Sequence, residues 1–323
     1  MEEAVELNKG VAEKSQEDPK AKDTSSIQVV EKRDEDPEPE PITRRKALLM
    51  WSGGFDSTLL LAALTKYDPN VVQMESFARG YNGVTCGTSM GGPIAYEQLT
   101  GYRTVRVATI YCSQFSRAQM ERQIIARGRV LGLIEEKIGR QIEVVRINAD
   151  YDGAADKHGG LFQQQASVYY GTSILERDED LIVGWHFADH ANAYMERLYR
   201  LFNDHAGMTH RTNSRLLTPL IMHQKEEILR YIHDLGLWNA CTTCEGWGFN
   251  AFNHNCGRCQ PCRNILKSIF FGERLDRETR KNFLSTFDPK VVQEHIEYCQ
   301  GSPEDVKNRM RAKKLLTPAT RRP

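Results

Sequence analysis

The chain has 323 residues, 40% of them hydrophobic and 27% charged, and its formal net charge at pH 7 is zero. This length suffices for one large α/β domain with an appendage, or for two modest domains. No apolar run reaches the roughly 18 residues that a membrane helix needs, and the charged N-terminus lacks the apolar core of a signal peptide. We therefore expect a cytoplasmic protein with no membrane partner.

The zero net charge conceals an uneven distribution along the chain. Residues 1–43 carry 13 acidic and 6 basic residues and no aromatic residue. Such a segment buries too little apolar surface to offset its ordering entropy, so we predict a disordered tail. Residues 301–323 are predicted to form a second, basic tail. The sequence between the tails is nearly neutral, which disfavours direct binding of nucleic acid because that affinity depends on a basic surface.

Apolar runs of strand length alternate with helical patterns between residues 44 and 240. The predicted strands cover residues 46–51, 105–111, 142–147, 181–184 and 216–218. Strands that alternate with helices form parallel sheets covered on both faces, so the sequence predicts an α/β fold with a doubly wound parallel sheet. Residues 241–300 are predicted to form a helical, zinc-binding appendage to this sheet.

Three helical patterns matter for the fold. The first covers residues 58–64, and the second covers residues 116–137. A third follows Lys225. The second pattern places Met120, Ile124, Leu131 and Ile134 on one apolar stripe. The third places Ile228, Leu229, Ile232 and Leu235 on its buried face. Residues 76–103 and 203–214 are predicted to be long loops, the first an inserted loop or lid.

The segment between the first strand and the first helix has the composition of an anion-binding loop. It reads Ser-Gly-Gly-Phe-Asp-Ser-Thr from Ser52 to Thr58. Glycines allow close backbone approach, and the N–H groups at a helix N-terminus attract phosphate oxygens. We expect ATP to contact Ser52, Gly53, Gly54, Asp56, Ser57 and Thr58. Asp56 is also expected to hold Mg²⁺ that bridges phosphate oxygens.

The pattern of this loop also indicates which phosphorus reacts. The G-x-x-x-x-G-K-[ST] signature is absent, and no Gly-Lys pair occurs in the chain. This argues against transfer of the γ-phosphoryl group and favours chemistry at the α-phosphorus. The alternative is that Ser-Gly-Gly only makes a turn from strand to helix.

Five of the eight cysteines lie between Cys241 and Cys262, which indicates a metal site in a reducing compartment. Cys244, Cys256, Cys259 and Cys262 form the pattern C-x11-C-x2-C-x2-C. Four thiolates complete a closed tetrahedral site, and closed zinc sites are structural, so we expect Zn²⁺ to serve folding. Alternatives stay open: Cys241 or His254 as the fourth ligand, an iron–sulfur cluster, or free cysteines in a helix hairpin.

The loop resembles the S-G-G-x-D-S-[ST] motif of the PP-loop superfamily, whose members split ATP to AMP and pyrophosphate while adenylating a substrate. With the C-G-x-C-x2-C site at Cys256 to Cys262, the chain resembles the 7-cyano-7-deazaguanine synthase family over roughly residues 46–265. Further matches are Tyr111 to Gln114, Gly184 to Asp189, and Thr218 to Lys225.

The resemblance implies a reaction and a set of site residues. ATP and ammonia from solution would convert 7-carboxy-7-deazaguanine to 7-cyano-7-deazaguanine through an acyl adenylate and an amide. Asp56 and Lys225 would be the catalytic residues, with Lys225 holding charge on the leaving pyrophosphate. Gln114, Gly184 and Asp189 would bind the substrate, with His186 a weaker candidate. The alternative for Lys225 is a solvated lysine in the first turn of a helix.

The chain also departs from the family. The family's P-x-R-N segment is replaced here by Leu161 to Gln165, and the family's Y-P-D-C-R segment is replaced by Tyr194 to Tyr199. These departures keep open an enzyme that stops at the amide or uses a different carboxylate. Two further alternatives are a tRNA sulfurtransferase, which could use Cys112, and a non-catalytic zinc-ribbon protein that binds nucleic acid. A homodimer also stays open.

Overall fold

The computed structural model describes residues 46–69, 101–112, 117–149, 163–186, 195–210, 213–221, 223–244 and 255–298. All of them lie within one unit, Pro41–Pro323. The predictions for the two tails and for nearly all of the 76–103 loop fall outside the described residues. The domain boundary at residue 240 stays a prediction.

A parallel sheet forms the centre of the described structure. Its strands are β1 (Lys46–Met50), β2 (Thr104–Cys112), β3 (Glu143–Ala149), β4 (Glu179–Val183) and β5 (Leu216–Leu217). The order across the sheet is β3-β2-β1-β4-β5, and every neighbouring pair is parallel. This Rossmann-like order, as in the nucleotide alpha hydrolases, confirms the predicted α/β fold class.

The helices of the described residues cover both faces of this sheet. They are α1 (Phe55–Leu64), α2 (Arg117–Ile138), α3 (Gln163–Ser173), α4 (Met195–Met208), α5 (Lys225–Asp234), α6 (Gln260–Phe271), α7 (Arg277–Leu284) and α8 (Pro289–Tyr298). Because successive strand residues point to opposite faces, Ala47 and Leu49 join one buried cluster and Leu48 and Met50 the other. The first cluster includes α1, α2, α5 and the C-terminal helices, and the second includes α3 and α4.

Two predictions about helices are wrong in part. On α2, Ile134 is buried and Leu131 packs against the same core, as predicted, but Ile124 is 47% exposed. The rest of the buried face carries Ala126, Val130 and Arg127. Apolar periodicity misses part of this face, because an arginine occupies it. Residues 203–208 are not a loop but the end of α4, whose buried face includes Phe202 and Ala206. The buried stripe predicted for α5 is confirmed, since Ile228, Leu229, Ile232 and Leu235 are all buried.

β4 starts with two carboxylates that are completely buried. Glu179 accepts hydrogen bonds from Arg106 Nε and Nη2 at 2.9 and 2.6 Å. Asp180 accepts from Arg215 Nη2 at 2.7 Å and from the Tyr102 hydroxyl at 2.9 Å. The hydrogen bond with Glu179 raises the pKa of Arg106 above its usual range, so this pair stays ionised. Each buried charge at this amino edge of the sheet therefore has a partner of opposite sign.

Within the described part of the chain, no helix combines the length and the apolar character that crossing a membrane requires.

Replacing Asp180 by Ala should lower the free energy of unfolding by about 3 kcal/mol, because it leaves the half-buried Arg215 without its carboxylate. Replacing Tyr102 by Phe removes one neutral donor from the same carboxylate and should cost only about 1 kcal/mol. Urea unfolding of both variants measures the difference. Equal losses would contradict the assignment of Asp180 as the structural charge.

Candidate functional site

The loop after β1 lies at the point where the sheet changes winding direction. β1 pairs with β2 on one side and with β4 on the other, so the connection from β1 to β2 and the connection from β4 to β5 run in opposite directions. In open α/β sheets this arrangement produces a crevice at the carboxyl ends of the strands, where ligands bind. Residues 51–54 connect β1 to the N-terminus of α1 at this position.

Two serine hydroxyls organise the loop. Ser57 Oγ accepts a hydrogen bond from the Ser52 backbone N–H at 3.3 Å and lies 3.2 Å from Ser52 Oγ. Ser52 Oγ in turn accepts from the Gly54 N–H at 3.2 Å. Ser52 is exposed and Ser57 is buried. Ser52 can therefore reach a ligand directly, while Ser57 positions the loop.

Two glycines allow neighbouring elements to approach the loop closely. Gly53 has a φ of +82°, which disfavours other residues, and a Cβ at this position would lie 2.9 Å from Arg127 Cγ of α2. Gly184, directly after β4, packs against the start of α1, where a Cβ would lie 3.0 Å from the Ser57 nitrogen. The role of Gly184 in substrate binding stays a prediction, and its packing against backbone atoms strongly favours a residue without a side chain.

Thr58 does not face the loop's open side. It is fully buried, and its hydroxyl accepts a hydrogen bond from the Trp51 indole N–H at 3.2 Å. The expectation that Thr58 offers a hydroxyl to phosphate is therefore not supported by the geometry. Thr58 instead ties the first turn of α1 to the end of β1.

Asp56 and Lys225 form an ion pair across the crevice. Lys225 Nζ donates to Asp56 Oδ1 at 2.8 Å and to Oδ2 at 2.6 Å. The lysine side chain is only 9% exposed, which rules out the alternative of a solvated surface lysine. His186 Nε2 lies 3.9 Å from Asp56 Oδ1, so the carboxylate stands between two nitrogen-bearing side chains. The two predicted catalytic residues are thus in direct contact.

The start of α5 fixes the position of Lys225. Lys225 is the first residue of this helix, and the Gln224 backbone N–H donates to the Glu227 side chain at 2.9 Å. Such a contact satisfies one backbone donor at the start of the helix and fixes the direction in which the chain enters the helix. The buried residues Ile228, Leu229 and Ile232 anchor α5 against the sheet. The lysine therefore projects toward the loop from a rigid element.

The four predicted cysteines lie together. Cys244, Cys256, Cys259 and Cys262 are all buried, and their sulfur atoms all lie within 4.8 Å of one another. Backbone N–H groups support the sulfurs: Cys256 N donates to Cys244 Sγ at 3.3 Å, and Cys259 N donates to Cys256 Sγ at 3.4 Å. Four soft, converging donors fit a tetrahedral cation such as Zn²⁺.

The protonation states of these thiols depend on one another. Hydrogen bonding with Cys244 lowers the pKa of Cys256 and raises the pKa of Cys262. Thiols this close titrate as a group rather than one by one. A divalent cation would remove this competition, because each coordinating sulfur becomes a thiolate.

Cys241 is a separate thiol. It is absent from the cluster, and burial raises its pKa to about 12, so it stays protonated at neutral pH. The alternative that Cys241 replaces Cys244 as a ligand is therefore disfavoured. His254, the other alternative ligand, lies outside the described residues.

A backbone contact connects the cysteine cluster to the loop. The Thr242 N–H donates to the Gly53 carbonyl at 3.1 Å. A Cβ on Gly54 would also lie 3.1 Å from Thr243 Cγ2. Residues 242–243 therefore pack on the glycine pair, and the next residue is the first cysteine of the cluster. The cluster fixes the segment that supports the loop.

Some predicted site residues cannot be placed, and one polar side chain was missed. Gln114 and Asp189 lie outside the described residues, as does the side chain of Cys112. Sequence reasoning missed Arg127, which packs on Gly53. The only available signal was a basic residue next to apolar positions of a helix, which ordinarily indicates a solvated side chain.

Comparison with known family models finds none that matches the chain, and comparison with curated proteins finds no match either. The established features are therefore the α/β domain, its strand order and its four-cysteine cluster.

Purified chain should contain about one zinc ion, as a closed four-thiolate site implies. Cys259→Ser should lose most of this zinc and several kcal/mol of stability, because three thiolates leave the site open. Cys241→Ser is the matched control and should retain the metal. Elemental analysis that finds no zinc in native protein, or equal zinc in both variants, would contradict this assignment.

Proposed function

We propose that the chain is an ATP-dependent C–N ligase that adenylates a carboxylate. The observation that carries the proposal is the position of the Ser52–Ser57 loop and the Asp56–Lys225 pair at the winding change of the sheet. Nucleotides bind at such points in open α/β sheets. The loop motif and the lack of a Gly-Lys pair favour reaction at the α-phosphorus over the γ-phosphorus.

The loop would bind the phosphates through its backbone. The first N–H groups of an α-helix have no intrahelical acceptor, and they carry the positive end of the helix dipole. At the start of α1 these groups follow Gly54, the N-cap residue of the helix. The exposed hydroxyl of Ser52 would add a further donor.

Asp56 and Lys225 would together place positive charge at the reacting phosphates. Asp56 would hold Mg²⁺, which supplies positive charge to the phosphate oxygens. The same carboxylate orients Lys225. The lysine would then stabilise the negative charge that develops on pyrophosphate as it leaves. Since Lys225 is held by α5, this stabilisation needs little reorganisation during the reaction.

We propose 7-carboxy-7-deazaguanine as the substrate, on the resemblance of the motifs. Its carboxylate would attack the α-phosphorus, pyrophosphate would leave, and ammonia would displace AMP to give the amide. The amide oxygen would then attack the α-phosphorus of a second ATP with loss of pyrophosphate. Departure of AMP and of the N–H protons would leave the nitrile, 7-cyano-7-deazaguanine.

One observation favours a second candidate, an enzyme that stops at the amide. The residues that replace the family's P-x-R-N segment end in Gln163-Gln164-Gln165, the first turn of α3. A neutral amide side chain binds a carboxylate less strongly than an arginine does. Retention of the amide for a second activation would then depend on other contacts.

The substrate assignment can be tested directly by incubating the protein with ATP, Mg²⁺, ammonium and 7-carboxy-7-deazaguanine. We expect two AMP per product molecule and a mass corresponding to the nitrile. A time course that accumulates the amide, with ATP and ammonium in excess, would establish the second candidate. Formation of AMP only with a different carboxylate would disprove the substrate and retain the chemistry.

The catalytic assignment predicts the effect of two substitutions. Asp56→Asn and Lys225→Met should each lower the rate of AMP formation by about 100-fold or more. Asp56→Asn removes the carboxylate that would hold Mg²⁺, and Lys225→Met removes the cation that would stabilise the leaving pyrophosphate. The double variant should lose little beyond either single variant, because the two side chains act as a unit.

The matched control is an ion pair away from the loop. Asp68→Asn removes the carboxylate that pairs with Lys137 at 2.9 Å and should leave the rate unchanged. Circular dichroism would verify that all variants fold. Normal AMP formation by folded Asp56→Asn would disprove the role of Asp56.

A further inference from the structure

Arg127 is a buried cation beside the loop, and the proposed catalytic mechanism does not use it. It lies on α2 and is only 5% exposed. Its guanidinium carbon lies 4.9 Å from the centre of the Tyr111 ring, and its Nη2 donates to Gln123 Oε1 at 2.7 Å. Nε and Nη1 form no hydrogen bond within the described part of the chain. These two atoms carry three N–H donors.

Three other buried or half-buried arginines of the described residues have clear partners. Arg106 pairs with Glu179, and Arg215 pairs with Asp180. Arg280 donates to three backbone carbonyls, those of Ile269, Gly272 and Leu275. Arg127 has no carboxylate partner in the described part of the chain. Burial, and to a smaller extent the like charge of Arg146, lower the pKa of its guanidinium. A guanidinium nevertheless stays charged at neutral pH.

A buried charge without a partner is costly, and its cost is offset when an anion binds. The position of Arg127 indicates where such an anion would lie. The start of the side chain contacts Gly53 of the loop. Its end lies over Tyr111, three residues beyond Ala108, the residue level with Met50 in the sheet register. Tyr111 is thus about 10 Å past the end of β1, on the ligand side of the sheet.

We propose that Arg127 binds the phosphate groups of the nucleotide, completing an anion site with the backbone of the loop. This inference rests on the proposed function and extends it to a residue on a different element. We assign Arg127 to the phosphates because its side chain contacts Gly53, a residue of the proposed phosphate-binding loop. The absence of a side chain at Gly53 allows α2 to approach so closely.

Arg127 and Lys225 reach the loop from different helices, α2 and α5. The lysine is neutralised by Asp56, whereas the arginine brings a positive charge that no described carboxylate balances. The net field at the loop is therefore positive and favours a polyanion over a neutral ligand. Arg127 should therefore increase the affinity for pyrophosphate and ATP but not the affinity for adenosine.

The test compares Arg127→Met with Arg129→Met, a matched control on the exposed face of the same helix. Isothermal titration calorimetry of the full chain measures the affinities for pyrophosphate, ATP and adenosine. Arg127→Met should lower the affinities for pyrophosphate and ATP by about 10- to 100-fold, the loss expected when charged hydrogen bonds are removed. The affinity for adenosine should not change, and Arg129→Met should behave as the wild type.

The thermal stability of the unliganded variants separates a ligand-binding arginine from a structural one. If Arg127 serves a ligand, Arg127→Met removes an unpaired buried charge and should melt at the wild-type temperature or higher. A melting temperature several degrees lower would show a structural role and overturn the proposal. Arg127→Lys keeps the charge and should recover part of the pyrophosphate affinity.

The remaining outcomes distinguish this inference from the proposed function. Wild-type protein that binds neither ATP nor pyrophosphate would disprove both. Wild-type protein that binds ATP, together with an unchanged affinity in Arg127→Met, would disprove the role of Arg127 alone. A variant that binds pyrophosphate normally but loses 7-carboxy-7-deazaguanine would assign Arg127 to the substrate carboxylate and overturn the phosphate assignment.

Discussion

Close backbone packing around the loop after β1 is the constraint on which the site depends. Three elements meet there without room for a side chain: α2 at Gly53, residues 242–243 at Gly54, and the start of α1 at Gly184. The contact at Gly53 positions Arg127, the contact at Gly54 positions the segment before Cys244, and the contact at Gly184 positions the start of α1 with Asp56. Interiors packed this densely resist displacement, so the charged groups keep their positions without a ligand. Preorganisation of this kind is what charge stabilisation at a reacting phosphate requires.

The pairing of buried charges differs between the amino and the carboxyl edge of the sheet. At the amino edge, Glu179 and Asp180 are buried against Arg106 and Arg215, and these pairs hold the strands in register. At the carboxyl edge, Asp56 and Lys225 neutralise each other, while Arg127 has no carboxylate partner among the described residues. The first edge is internally balanced and structural. The second carries a positive charge, which suits an anionic ligand.

Local patterns in the sequence predicted much of this arrangement, and long-range contacts account for the rest. The parallel sheet follows from alternating elements, and the cysteine cluster from short spacings, because both depend on neighbours in the chain. The Asp56–Lys225 contact joins residues 169 positions apart, so no local pattern reveals its geometry. Part of the buried face of α2 was missed because periodicity counts apolar residues, whereas this face includes Arg127. A motif also does not show which way a hydroxyl points, and the hydroxyl of Thr58 lies against Trp51.

The hydrogen bond from the Thr242 N–H to the Gly53 carbonyl has a thermodynamic consequence. A cation at the four cysteines and an anion at the loop would both restrict the freedom of the same short segment. Whichever binds first would pay part of the ordering entropy for the other, which makes the two events cooperative without any change of shape. Cooperativity of this kind is reciprocal, so nucleotide would retain metal as much as metal retains nucleotide. A metal at the cysteine cluster would thereby adjust the affinity of the loop for an anion.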